Sequence, residues 1–63
     1  MTYDEGANAA YICMKDPIKR GESVKQEIAS GESISLIIDL DKDGKILGIE
    51  FLMAKQFISE LPE

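Results

Sequence analysis

Aspartates occupy the first, third and fifth positions of the segment DLDKDGKILGIE, Asp39–Glu50, with Gly44 sixth, Ile46 eighth and Glu50 twelfth. That is the spacing with which a helix–loop–helix site wraps a calcium ion, its last glutamate swinging in with both oxygens. The first chemistry to weigh is therefore divalent-cation binding, with Asp39, Asp41, Asp43 and Glu50 as ligands. Two features count against a wrapped site. Leu47, at the ninth position, brings no side-chain oxygen, and the flanks ISLIID and ILGIE alternate apolar with polar residues as strands do. A loop held between paired strands cannot close around an ion. The competing reading is a β-hairpin in which Asp41, Asp43 and Gly44 serve the turn, because short acids bond nearby amides and glycine accepts positive φ. In that hairpin Asp39, Asp41 and Glu50 share an outward face. Such a strip suits a weakly held cation, a partner's lysines and arginines, or plain solvation.

Other chemistries find little support. The chain has no histidine, so a Ser-His-Asp or Cys-His arrangement cannot be built, and the common general base at neutral pH is missing. Cys13 is the single cysteine, with Lys15 its nearest cation in sequence, and reads as a half-buried structural thiol rather than a nucleophile. Gly6, Gly44 and Gly48 form no phosphate-cradling motif. We expect a non-enzymatic protein without a cofactor.

The elements that must position these residues follow from periodicity. Ala9–Met14, AAYICM, has β-branched and aromatic character, and DPIKRGE after it reads as a loop. SVKQEI alternates, and SISLIIDLD alternates more clearly, with Ile34, Leu36, Ile38 and Leu40 on one side. A three-residue loop Ala29–Gly31 would pair Val24 with Leu36 and Gln26 with Ile34. A four-residue loop Lys42–Lys45 would pair Leu40 with Leu47, Ile38 with Ile49 and Leu36 with Phe51. The tail changes period: Phe57, Ile58 and Leu61 recur at helical spacing before Pro62, predicting a helix of about two turns on the apolar face. The expected fold is α+β, an antiparallel four-stranded β-meander with one short C-terminal helix, as a single domain. GESVKQEI and GESISLII echo each other, which we read as shared turn chemistry rather than a repeat.

At 63 residues the chain lies near the lower size at which a hydrophobic core sustains folding unaided, so self-association or a partner would be a natural source of further burial. Seven basic residues against twelve acidic ones give a net charge of −5, and the cations are scattered. Direct nucleic-acid binding is disfavoured, since it needs clustered cations to displace counterions. No apolar run approaches the roughly 20 residues of a membrane span, and a lone thiol without a signal-like N-terminus fits the cytoplasm. One short helix cannot cover both sides of a sheet. Tyr11, Cys13, Ile37, Ile46 and Leu52 are expected on the open side among Asp39, Asp41 and Glu50. Apolar residues ringed by carboxylates mark Tyr11, Ile37, Ile46, Leu52, Asp39 and Glu50 as candidates for an interface, with a second copy or a basic protein.

Tyr3–Ile12, YDEGANAAYI, resembles a YDxxADxLYI opening, and Asp39–Leu52, DLDKDGKILGIEFL, resembles a DxDxDGxIxGIEIL ending. Together they make the chain similar to a short prokaryotic family catalogued as domain of unknown function 2283. Asn8 stands where an aspartate is usual, Ala10 where leucine is usual, and Met53 where a polar residue often follows. The resemblance implies the β-hairpin rather than the calcium loop. Some relatives look like small acidic partners of toxin-like proteins, so it also implies, by analogy, an antitoxin-like role.

Overall fold

The computed structural model of the protein describes residues 1–32, 34–56 and 58–61. Five strands form a single antiparallel sheet: β1 (Thr2–Asp4), β2 (Ala9–Cys13), β3 (Lys25–Ser30), β4 (Ser35–Leu40) and β5 (Ile46–Leu52). Their order across the sheet is β1-β2-β5-β4-β3. This corrects the expected meander in two ways. A fifth strand, β1, escapes periodicity because three residues carrying one apolar side chain have no pattern to show. β2 pairs with β5 rather than with its sequence neighbour β3, so three hairpin-linked strands are closed by one that arrives over a long connection, as in a Greek key.

The central strands are the most apolar, as burial on both edges demands. Leu36 faces Phe51 and Ile38 faces Ile49, the expected pairs, and β2 adds Ala10 beside Phe51 and Ile12 beside Ile49. The third expected pair changes. A bulge between Asp39 and Leu40 sets Leu40 opposite Ile46 and leaves Leu47 as the extra residue. Leu47 is thereby buried, and its carbonyl accepts the amides of Met14 (2.8 Å) and Lys15 (3.3 Å). The turn is correspondingly one of Lys42, Asp43 and Gly44: the Gly44 amide donates to the Asp41 carbonyl (3.0 Å) and Gly44 takes φ 79°. Strands, not helices, flank this loop, which overturns a wrapped calcium site.

The β3–β4 hairpin also departs from expectation. Ser30 pairs with Ser35 and the Gly31 amide donates to the Ile34 carbonyl (2.8 Å), so strand pairing continues through Gly31 and Ile34 and the expected loop Ala29–Gly31 is not the turn. An odd shift of register exchanges the faces: Ile28 now opposes Ile37 and Gln26 opposes Asp39, while Lys25, Glu27 and Ala29 lie over Leu40, Ile38 and Leu36. β3 is polar and exposed throughout, so hydrophobic burial exerts little control over its register.

No two-turn helix follows β5 among the described residues. Met53 takes φ 52°, a 3₁₀ turn covers Ala54–Gln56, and the Ile58 amide donates to the Ala54 carbonyl (2.9 Å). Two turns of helix offer too few hydrogen bonds to offset nucleation without a packed face. Phe57 and Pro62, on which that expectation partly rested, lie outside the described residues.

The sheet is therefore one layer with thin cover. Its extents are 32 × 26 × 16 Å, and its radius of gyration is 12.0 Å against about 11 Å for a compact domain of this length. The surface of 4760 Å² exceeds the roughly 4,000 Å² typical of this mass. Among the described residues, Ala10, Leu40, Leu47 and Ala54 are the buried apolar ones, and none of the large side chains is fully enclosed. The connection from β2 to β3 crosses the end of the sheet and is pinned by Glu22, which pairs with Lys15 and accepts the Lys19 amide (2.7 Å). The Lys15 ammonium, then that amide, hold the Glu22 carboxyl below the usual carboxylate range.

Candidate functional site

The pairing register sorts the strand side chains into two contrasting faces. One carries Tyr3, Ile12, Leu36, Ile38, Ile49 and Phe51, with Lys25 and Glu27 toward the edge. The other carries Asp4, Tyr11, Cys13, Ile37, Asp39, Glu50 and Leu52, together with Gln26 and Ile28. No lysine or arginine belongs to a strand position of this second face, so three carboxylates set its potential unopposed. Of the expected interface residues, Tyr11, Ile37, Leu52, Asp39 and Glu50 share it. Ile46 does not: the bulge sets it opposite Leu40, outside the row of Tyr11, Ile37 and Leu52, and it stands 46% exposed.

Tyr11 organises this face. Its ring crosses β5 to reach β4, a span of about 10 Å set by two strand spacings. The hydroxyl donates to Asp39 Oδ2 (2.8 Å), while Asp39 Oδ1 accepts from Gln26 Nε2 on β3 (2.7 Å). The path is open only because residue 48 is glycine. A Cβ there would lie 2.2 Å from the Tyr11 hydroxyl oxygen and 2.5 Å from the ring carbon bearing it. Glycine in a central strand is ordinarily a weakness, and the ring laid across it restores the packing. Burial, then the hydrogen bond to the Asp39 carboxylate and its charge, push the Tyr11 phenol up to about 12. The hydroxyl is thus a firmly held donor, with no tendency toward the phenolate that nucleophilic or base chemistry would require.

Two other carboxylates of the sequence motifs, Asp41 and Asp4, are engaged with backbone. Asp41 Oδ1 accepts the amides of Asp43 and Lys45 (both 2.9 Å), and these bonds, Lys45 first, keep its carboxyl below the ordinary range. Asp4 Oδ1 accepts the amides of Gly6 (3.0 Å) and Ala7 (3.3 Å) and shapes the β1–β2 turn. No group of three or more acidic or cysteine side chains is gathered as a cation site among the described residues. Asp39, Asp41, Asp43 and Glu50 are accordingly not brought together as ligands; Asp39 engages both oxygens with Tyr11 and Gln26, and Asp41 engages Oδ1 with the turn.

Asn8 acts as a latch that sequence reasoning missed. It occupies the left-handed region (φ 49°), where asparagine is better tolerated than most residues. Its Oδ1 accepts the Tyr3 hydroxyl (3.2 Å) and the Lys55 amide (3.0 Å), and its carbonyl accepts the Ala54 amide (3.0 Å). The oxygen, rather than a negative charge, is what this position supplies. The signal available in the sequence was an Asn–Ala step closing a glycine-containing turn.

Two recesses flank these features. A shallow groove of about 270 Å³ on the acidic face is lined by Thr2, Asp4, Ala7, Ala9, Tyr11 and Glu50 among others. A larger one of about 460 Å³ at the end of the sheet opposes Lys19, Arg20 and Lys42 to Glu22, Asp41 and Asp43, so its charges balance.

The two motifs thus place a tyrosine over a glycine and a set of acids on turn amides. The matching family model, described as a protein of unknown function (DUF2283), covers residues 1–55. The chain belongs to this family. No curated protein and no solved structure matches it. Within DUF2283 terms, the opening motif corresponds to β1, its turn and β2, and the ending motif to the β4–β5 hairpin. No described helix is long and apolar enough to cross a membrane.

Proposed function

We propose that this DUF2283 domain is a non-enzymatic binding module whose acidic sheet face receives a basic protein. The observation that carries this reading is the composition of that face. Asp4, Asp39 and Glu50 surround Tyr11, Ile37 and Leu52 with no lysine or arginine at any strand position among them. A potential of one sign steers a partner of the other, and the half-exposed apolar residues supply contact area once it arrives. The thinness of the fold supports the same view, because a sheet normally rests against a second layer and here a partner would furnish it. The motif residues offer no competing task. Asp39, Asp41, Asp4 and Gly48 are accounted for by holding Tyr11 and two turns, which gives these four residues a structural role.

An antitoxin-like role, in which the occupant is a basic toxin-like protein, is the form of this reading that the family resemblance favours. Affinity capture with the intact chain should enrich a basic protein, and Glu50→Lys or Ile37→Lys should abolish its retention while leaving the far-ultraviolet circular dichroism unchanged. Retention unaffected by both substitutions would reject the acidic face as the binding surface.

A further inference from the structure

The geometry points to a second association surface: β3 pairs edge to edge with β3 of another copy of this chain, centred on Gln26. The inference rests on the reading of the domain as an association module, but uses a different surface. β3 is an outer strand of six residues with every residue exposed, whereas β1, at the opposite edge, has three. Long open edges template further strands. Val24, just before the strand, and Ile28, within it, are 61% and 72% exposed, and Ile28 is the most exposed large apolar residue among those described.

Hydrogen-bond direction restricts the register. The Gly31 amide bonds to Ile34 within the β3–β4 hairpin, and such pairs recur every second residue, so Lys25, Glu27 and Ala29 point their backbone groups at β4. Gln26 and Ile28 therefore present amide and carbonyl to the open edge. Val24 contributes its carbonyl alone, since its amide donates to Leu40 (3.0 Å). A two-fold pairing must set outward residues against outward residues.

Charge then selects among the registers that remain. Centred on Gln26, the segment VKQEI is self-complementary: Val24 meets Ile28 of the second copy, Lys25 meets Glu27 of the second copy, and Gln26 meets itself. Centring on Glu27 would oppose two glutamates, and centring on Lys25 two lysines. Centring on Ile28 would leave both charges facing Ala29 or Gly31. In the Gln26 register, Lys25 exchanges its present neighbour on the same strand, Glu27 at 3.5 Å, for a partner directly across. Val24 of the second copy also joins Ile28 and Ile37 in one apolar cluster. The axis runs normal to the sheet, so both acidic faces point the same way.

One strand pair buries less than the roughly 1,200 Å² of a standard interface, so the dimer is expected to be weak and concentration-dependent. Sedimentation equilibrium of the full chain from about 10 μM to about 1 mM should therefore show monomer passing into dimer. Lys25→Glu and Glu27→Lys each convert two attractive pairs into repulsive ones and should weaken dimerisation at least about tenfold. An equimolar mixture of these two variants, and the K25E/E27K exchange in one chain, should both recover it. Amide exchange should slow with concentration at Gln26 and Ile28. A chain that stays monomeric throughout, or a dimer indifferent to these charges, would overturn the proposal. Glu50→Lys should leave this dimer intact while losing the basic partner, so the two readings fail separately.

Discussion

Replacing Gly48 by alanine probes the arrangement on which the acidic face depends. The new Cβ would lie 2.2 Å from the Tyr11 hydroxyl oxygen, where ordinary contact begins near 3.4 Å, so the end of the ring must retreat by about 1 Å. A 2.8 Å hydrogen bond stretched by that amount is lost. A bond to a charged acceptor is worth about 1.5–3 kcal/mol. Alanine returns about 0.5–1 kcal/mol of the glycine's strand penalty, which leaves a net loss of about 2 kcal/mol after some ring contact is forfeited. For a chain whose whole stability is of order 3–9 kcal/mol, that is a large share, equivalent to a melting temperature lower by about 10 °C. Urea titration followed by circular dichroism measures it. The decisive comparison is the background. In Tyr11→Ala the obstacle is gone, and Gly48→Ala should become neutral or stabilising by about 0.5 kcal/mol. In Tyr11→Phe two ring carbons remain at 2.5 and 2.7 Å from the Cβ position, and the substitution should stay costly. Equal cost in the wild-type and Tyr11→Ala backgrounds would show that the ring does not occupy that space, and the account of this face would fall with it.

The Tyr11 phenol is raised from 10.0 to about 12, which favours the protonated folded state. Its contribution, roughly 2 kcal/mol at most after solvent screening, is present below pH 10 and lost as pH rises through 10 to about 12; Tyr11→Phe should flatten that loss in alkaline urea titrations. Asn8→Ala should destabilise by about 1–3 kcal/mol through a left-handed alanine and two orphaned donors, whereas Asn8→Asp, which keeps the acceptor oxygen, should lie within about 1 kcal/mol of wild type in the same assay. Asp41, held below the ordinary carboxylate range, stabilises the turn above that range and loses its effect as pH falls through its depressed value. Asp41→Ala should therefore lower the urea midpoint at neutral pH and make little difference in acid. Because the described carboxylates are not gathered as a cation site and Asp39 already engages both oxygens with Tyr11 and Gln26, calcium titration should leave the amide resonances of residues 39–50 unmoved.

The β4–β5 hairpin was legible because two alternating apolar runs flank a turn with aspartate and glycine, and parity alone puts Asp39, Glu50, Tyr11, Ile37 and Leu52 on one face. The bulge was not legible. An extra residue at Leu47 keeps both neighbours plausible as strand, and only the buried pairing reveals which is out of step. β3 misled for a related reason: with alternate residues polar on both sides, a loop at Ala29–Gly31 and pairing that runs on to Gly31 and Ile34 satisfy the pattern equally well, yet they expose opposite faces. The placement of β2 beside β5 depends on a long connection whose course no local pattern records. The role of Gly48 was hidden because a glycine in a strand looks the same whether it marks weakness or makes room. A single-strand pattern cannot tell which cross-strand ring lies over it.

A sheet 16 Å through hides little apolar surface, so its unfolding has little new surface to hydrate. Both the denaturant slope and the heat-capacity increment scale with that area, and each should fall below what a chain of this length normally gives. Melting then spreads over a wide temperature interval instead of a sharp step, and the stability curve flattens, so warming erodes the fold slowly. Contact with another protein would bring the sheet the cooperativity that one thin layer lacks.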